Sequence, residues 1–316
     1  MKKLNINKKK KIILVLLLVL LTTGCTKTLK GEDKKVVTNP ETGQSLTENI
    51  LCRPTNKETI KKYEENGVKL DKLPECSDFK VTSGGYEGLW TSIFVKPLAW
   101  AILFISKYVN GAALALIITS ILIRLVAYPV TKKTAMQSEL IKKAQPELER
   151  LEKKYANKTD QESMFKKSQE MTMIYKKYNI NPVSGCLYAF LQLPLFIAFL
   201  EAINRVPALF EETFLTMQLG TTPWLGLTSK GNVVYLILVI FVGLTTYFSF
   251  ILNKTSATSS QDPMANMSNM MTGMIIVMSL FMPTALCIYW LTTNLFTVVQ
   301  NLIVKRSAEK NEKVRV

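Results

Sequence analysis

Apolar and polar positions are sharply segregated along the chain. Ten apolar residues at 12–21 follow a lysine-rich start (Lys2, Lys3, Lys8, Lys9, Lys10, Lys11). Residues 26–87 are polar, and 30–47 reads as a linker because few apolar positions are available to build a core. From Gly88 the pattern changes. Leu89, Trp90, Ile93, Phe94, Leu98, Trp100, Ile102, Leu103 and Phe104 surround Lys96-Pro97, which predicts a helix over 88–106 lying in a membrane interface. Spanning helices are predicted at about 110–130, 182–200, 232–252, 264–282 and 284–304, the last two closing a hairpin at Pro283. Residues 263–304 carry no charged side chain, and as helix they would extend about twice the hydrocarbon thickness of a bilayer. By contrast 131–179 is hydrophilic, and its apolar positions recur every three to four residues. Leu140, Ala144, Leu148, Leu151 and Tyr155 form one stripe; Met164, Ser168, Met171, Ile174, Tyr175 and Tyr178 form another. Asn157-Lys158-Thr159-Asp160 between them is turn chemistry, so two antiparallel amphipathic helices are expected.

Charge sets the expected orientation. The loop at 131–179 holds twelve Lys or Arg, and the tail at 307–316, just past Lys305 and Arg306, adds Lys310, Lys313 and Arg315. After the second span, Arg205 and Lys230 are balanced by Glu211 and Glu212. The positive-inside rule therefore puts the hydrophilic hairpin and the C-terminus in the cytoplasm and the mature N-terminus outside. The predicted fold class is an all-α polytopic membrane protein with five core transmembrane helices, an interfacial helix and a cytoplasmic helical hairpin. Forty Lys plus Arg face 24 acids, for a net charge of +16, but mean hydropathy is positive at +0.15. A chain this basic would ordinarily point to nucleic acid; with its charges confined to a few segments, a specific nucleic-acid partner is not expected.

The ten-residue apolar core at 12–21 is short for a crossing and suits a signal peptide over 1–24. Leu21-Thr22-Thr23-Gly24-Cys25 resembles a bacterial lipobox, with Thr22 where leucine is usual, and implies lipid attachment at Cys25 after cleavage. The alternative is an uncleaved signal anchor with a free thiol. Cys52 and Cys76 lie in the exported stretch 25–87, where a disulfide is permitted; two reduced thiols are the alternative.

Candidate chemistry is narrowed mainly by what is missing. The chain has no histidine, which excludes imidazole-based nucleophile activation, metal ligation and proton shuttling. It has no GxxxxGK[ST] loop, no CxxC pair and no acidic cluster, so neither cofactor nor metal is expected. Arg124 sits in Ile121-Leu122-Ile123-Arg124-Leu125-Val126, eight residues before Lys132 and so about 12 Å inside the cytoplasmic boundary. A charge there costs roughly 2.5–3.5 kcal/mol, which argues for a hydrated polar groove, with snorkelling as the alternative. Thr119, Ser120, Gln192, Thr245, Thr246, Ser249, Asn266, Ser268, Asn269, Thr272, Thr292, Thr293, Asn294 and Gln300 also fall mainly in the inner halves of the spans. Met264, Met267, Met270, Met271, Met274 and Met278 have helical spacing and read as gap-filling, or as a pliable apolar surface.

Four blocks in order are similar to the YidC/Oxa/Alb family of membrane-protein insertases. Asn110-Gly111 leading to Ile123-Arg124-Leu125 and Tyr128-Pro129 resembles its first core span. Gln145-Pro146-Glu147 with Tyr155 resembles its hairpin. The run from Tyr175 through Asn179, Asn181-Pro182, Gly185-Cys186-Leu187 and Gln192-Leu193-Pro194 resembles its most specific block, with Tyr188 where the family often has proline. Five spans after a lipoprotein signal resemble the Gram-positive type. The resemblance implies an insertase core over 88–306 in the bacterial cell membrane, acting as insertase and chaperone without enzymatic chemistry. It implies substrate contact in the groove at Arg124, Gln192, Trp290, Thr119 and Asn294. The implied partners are nascent membrane proteins, the ribosome, the Sec translocon and the lipid bilayer. A small-solute transporter or channel is the alternative, although the five spans show no clear duplication.

Overall fold

The computed structural model describes residues 26–181, 183–252 and 263–313; for 183–191, 263–268, 309 and 311–313 only the backbone is described. The signal peptide, Cys25, Pro182, the side chains of Cys186, Asn266, Ser268, Met264 and Met267, and the expected polar turn at 253–262 lie outside the described residues. The chain is mainly helical and divides into two units. One comprises the described residues up to Thr119 with Leu193–Tyr235 and Met282–Leu286; the other comprises Ser120–Gln192, Leu236–Phe281 and the residues from Cys287 onward.

In the first unit, the segment expected to be a linker is folded. Thr28 pairs with Thr47, Lys30 with Val36 and Thr38 with Ser45, which makes 28–47 an antiparallel ribbon. Alternation then points Leu29 and Leu46 inward against Ile50, Tyr63, Leu70 and Phe210. This correction has a simple cause: each apolar residue is isolated in its own stretch, and the core exists only once distant stretches meet. Helix α1, Lys57–Glu65, starts at Asn56, whose side chain accepts from the Thr59 N–H at 3.1 Å. Cys52 and Cys76 are joined by a disulfide.

A π-helical turn, Thr91–Val95, leads into α2, Lys96–Ser106, with Pro97 tolerated in its first turn. Lys96 is buried within the protein. Its ammonium is 3.1 Å from Glu87 and donates to the carbonyls of Ser83 at 2.7 Å and Gly85 at 2.5 Å. Glu87 also pairs with buried Arg205, whose Nε donates to the Asn49 carbonyl at 2.6 Å. One carboxylate thus pairs with two buried cations, Lys96 and Arg205.

The connection after Arg205 is structured as well. It contains α6, Pro207–Phe210, a two-stranded hairpin of β1, Thr213–Phe214, and β2, Met217–Gln218, and α7, Pro223–Thr228. Leu215 and Thr216 turn the hairpin with φ of 47° and 68°.

Long helices carry the second unit, and several continue into the first. Helix α3 is continuous from Ala112–Tyr155, so the span expected to end near residue 130 runs without a break into the hairpin. Pro129 removes the N–H that would bond the Leu125 carbonyl but does not stop the helix, since proline is tolerated inside membrane helices. The Thr131 hydroxyl lies 3.3 Å from the Ala127 carbonyl and 3.2 Å from that of Tyr128. Helix α4, Gln161–Lys177, returns alongside, capped by Asp160, which accepts from the Ser163 N–H at 2.8 Å. Ile141, Ala144, Leu148 and Ile180 form the seam of this hairpin, with Met171, Ile174, Tyr175 and Tyr178 packed against it.

Helices α5, Val183–Arg205, α8, Val234–Leu252, α9, Pro263–Phe281, and α10, Thr284–Lys313, complete the chain. Residues 307–313, expected in a separate tail, continue α10. Among the described residues three helices are long and apolar enough to cross a membrane: α3, α8 and α10.

Candidate functional site

The local sequence around Arg124 is apolar on both sides, and the helix turns those neighbours outward. Val126 is 81% exposed and Leu125 53%, while Arg124 is 6% exposed. A water-soluble helix would reverse that order. Helix α8 does the same on a larger scale, exposing Ile237, Ile240, Phe241, Leu244 and Phe248 while Thr245 and Thr246 are buried. Greasy outer faces around a polar interior are stable only where the surroundings are hydrocarbon.

Inside the second unit the polar side chains pair. Arg124 Nη2 donates to Gln192 Oε1 at 2.6 Å, and Gln192 Nε2 lies 3.5 Å from the Tyr289 hydroxyl. The Thr131 hydroxyl is 2.9 Å from Gln300 Oε1, which links α3 to α10. Asn294 Nδ2 donates to Thr246 Oγ1 at 2.7 Å, which links α10 to α8. Other hydroxyls bond their own helix: Thr245 donates to the Phe241 carbonyl, Thr292 to that of Ile288 and Thr297 to that of Thr293, each at 2.8 Å. Buried Asn301 keeps an amide nitrogen with no hydrogen-bond partner among the described residues.

Of the residues singled out from the sequence, Arg124 and Gln192 are brought into contact. Asn294 is linked to Thr246 rather than to this pair. Trp290 follows Tyr289 on α10 and is half-buried. Thr119, on the stretch of α3 belonging to the first unit, is buried, and its hydroxyl has no partner among the described residues. Two participants were missed: Tyr289, which reads as an ordinary aromatic next to a tryptophan, and Thr131, which reads as the first residue beyond a span. The only sequence signal for either is helical spacing, three residues before Thr292 for Tyr289 and seven after Arg124 for Thr131.

What this arrangement can do is recognise acceptors. A guanidinium is a donor-only group whose planar fork suits carboxylate and other oxygen acceptors. Cys287 is buried with its thiol 3.2 Å from the Ser279 carbonyl, a packed position rather than a nucleophile's. Among the described residues no group of three His, Cys, Asp or Glu side chains could hold a metal.

Comparison with known proteins follows the same part of the chain. The model of the family described as "60Kd inner membrane protein" matches residues 104–312. "Membrane protein insertase YidC" of Oceanobacillus iheyensis is 34% identical over 227 residues, covering 70% of this chain and 85% of that protein. "Membrane protein insertase YidC 2" of Listeria innocua is 34% identical over 218 residues, 69% of this chain and 72% of that one. "Membrane protein insertase YidC 1" of Bacillus anthracis is 31% identical over 245 residues, covering 76% and 90%. A solved structure titled "Active YidC insertase crystal structure with the first transmembrane domain resolved" aligns with a TM-score of 0.45 at 18% identity, over 69% of this chain and about half (48%) of that one.

Proposed function

The chain belongs to the 60Kd inner membrane protein family, and on that premise we propose that it is a membrane protein insertase acting in the bacterial cell membrane. It is a multi-pass membrane protein, and its action as insertase and chaperone needs no nucleotide, cofactor or covalent step. The observation that carries the reading is the inversion on α3, with Arg124 buried beside Gln192 while Leu125 and Val126 face outward.

In this reading five helices span the bilayer: the first part of α3, then α5, α8, α9 and α10. The segment 88–106 lies at the interface. The α3–α4 hairpin is cytoplasmic, as its twelve Lys and Arg support, and the disulfide-linked module is outside. Cys25 carries the lipid after removal of 1–24. Arg124, Gln192, Asn294 and Trp290, all of the second unit, line a groove open to the cytoplasm. A substrate's hydrophilic segment would exchange water for these donors and amides while its apolar segment passes into lipid. The membrane potential assists an acidic segment by about 2.3 kcal/mol per charge per 100 mV. The substrates are nascent membrane proteins, delivered by the ribosome or shared with the Sec translocon.

Cells depleted of this protein and supplied with a small single-spanning substrate bearing an acidic exterior segment provide the test. Wild type and Arg124→Lys should restore insertion, and Arg124→Ala should not. Equal rescue by Arg124→Ala at matched expression would remove the electrostatic role of the groove. Failure of wild type would remove the insertase reading for that substrate.

A further inference from the structure

The first unit contains a cavity of about 350 Å³, at the small end of the range of roughly 300–1,000 Å³ typical of ligand pockets. It is remote in character from the Arg124 site, being lined mainly by polar side chains. Phe210, Thr59 and Tyr235 contribute to its wall, together with two carboxylates, Glu41 and Glu211, and one cation, Lys230.

The hydrogen-bond accounting of the carboxylates is lopsided. Glu211 Oε2 accepts from the Thr55 N–H and hydroxyl, both at 2.9 Å, and from the Asn56 N–H at 3.2 Å. Glu211 Oε1 is buried with no partner among the described residues. Glu41 Oε2 accepts from Asn56 Nδ2 at 3.2 Å. A buried carboxylate oxygen left without a donor is costly, and that of Glu211 belongs to a residue of the cavity wall. Lys230 supplies the opposite need: it makes no ion pair among the described residues and offers three donors to an acceptor.

We propose that this cavity binds a small zwitterion of free-dipeptide size, its ammonium facing Glu211 and Glu41 and its carboxylate facing Lys230. A simple cation would leave Lys230 opposed, and an anion would meet two carboxylates. A metal ion is disfavoured because the wall holds a cation, Lys230, and only two carboxylates, and no group of three His, Cys, Asp or Glu side chains gathers among the described residues. The assignment depends on the first unit alone and not on the insertase reading.

The test is calorimetric titration of the full chain in lipid nanodiscs with alanyl-alanine, its N-acetyl derivative and its C-terminal amide. Saturable binding of alanyl-alanine is expected, weakened about tenfold or more by acetylation or amidation, since each removes one charge-assisted contact. Lys230→Ala should abolish the discrimination between acid and amide, and Glu41→Gln should reduce that between free and acetylated amine. Both residues are exposed at the cavity's mouth, so these variants should keep the wild-type unfolding temperature. No saturation up to about 10 mM, or equal binding of all three compounds, would overturn the proposal. So would unchanged discrimination in both variants.

Discussion

At the scale of single residues, Gly111 shows how a position legible as a motif can hide its physical reason. Its φ is +113°, and a Cβ there would overlap the carboxylate of Glu212. That carboxylate accepts from the N–H groups of Ala112 at 2.5 Å and Ala113 at 3.2 Å, so it caps the start of α3 from about 100 residues away. Asn110-Gly111 was visible in the sequence as part of a resemblance, but the cap was not, because nothing local pairs 111 with 212. Gly111→Ala should therefore cost about 2–4 kcal/mol, the sum of a positive-φ penalty and a displaced cap. Glu212→Gln keeps an acceptor and loses only the charge, so it should cost under about 1 kcal/mol. Thermal unfolding of the two variants in the same lipid environment compares them, and a larger loss from Glu212→Gln would contradict the capping geometry. Arg124 was the opposite case. A lone charge in an apolar run announces itself, whereas its hydrogen bond to Gln192 joins residues 68 positions apart and needed the fold to appear.

Among the elements, the amphipathic hairpin was the most readable, since its stripes of Leu140, Ala144, Leu148 and Met171, Ile174, Tyr175 are the ones that pack. Its boundary with the first span was not readable, because polarity changes near residue 130 while the backbone does not, and the helix carries on through Pro129. The hairpin's exposed clasp also sets a pH response. Lys154 Nζ donates to Glu170 at 2.7 Å and the Tyr155 hydroxyl donates to it at 2.8 Å; these bonds, Lys154 first, hold the Glu170 carboxyl below its usual range. Asp160 is lowered as well, chiefly by the Ser163 N–H at the start of α4. A carboxylate whose pKa is depressed by folding contributes stability above its unfolded value, about 4.3 for Glu and 3.9 for Asp, and loses it as pH falls through the folded value. The clasp should be fully present at neutral pH and weaken below about pH 4. Hydrogen exchange of α4 measured from pH 7 downward, corrected for intrinsic exchange rates, should show loss of protection in that acidic window. Glu170→Gln should show a smaller acid-dependent change, and an identical profile in wild type and variant would exclude the clasp.

For the whole molecule, the division between membrane helices and polar segments was plain in the charge pattern, because hydrocarbon tolerates so few alternatives. The polar N-terminal module was not, and the reason lies in where its core comes from. Leu29 and Leu46 lie on a ribbon, Tyr63 on α1 and Phe210 on a connection beyond α5, so no window of sequence contains enough apolar surface to announce a fold. A module with so small a core depends on its cross-link. Cys52 and Cys76 are 24 residues apart, and closing a loop of that length lowers the unfolded chain's entropy by the equivalent of about 3.5 kcal/mol. Buried Arg205, bound to Glu87 and the Asn49 carbonyl, ties the same module to the end of α5, a second constraint that survives reduction. Replacing both cysteines by serine should therefore loosen 28–79 without releasing the helices. Limited proteolysis of the reconstituted protein should show new cleavage between Arg53 and Lys80, at wild-type positions for every site in α8 and α10. Adding Arg205→Lys to the serine pair should remove the second constraint, since an ammonium cannot serve Glu87 and Asn49 with the same fork, and cleavage should rise further. If the serine pair left the proteolytic pattern unchanged, the module's stability would rest on its small core and on Arg205, not on the disulfide.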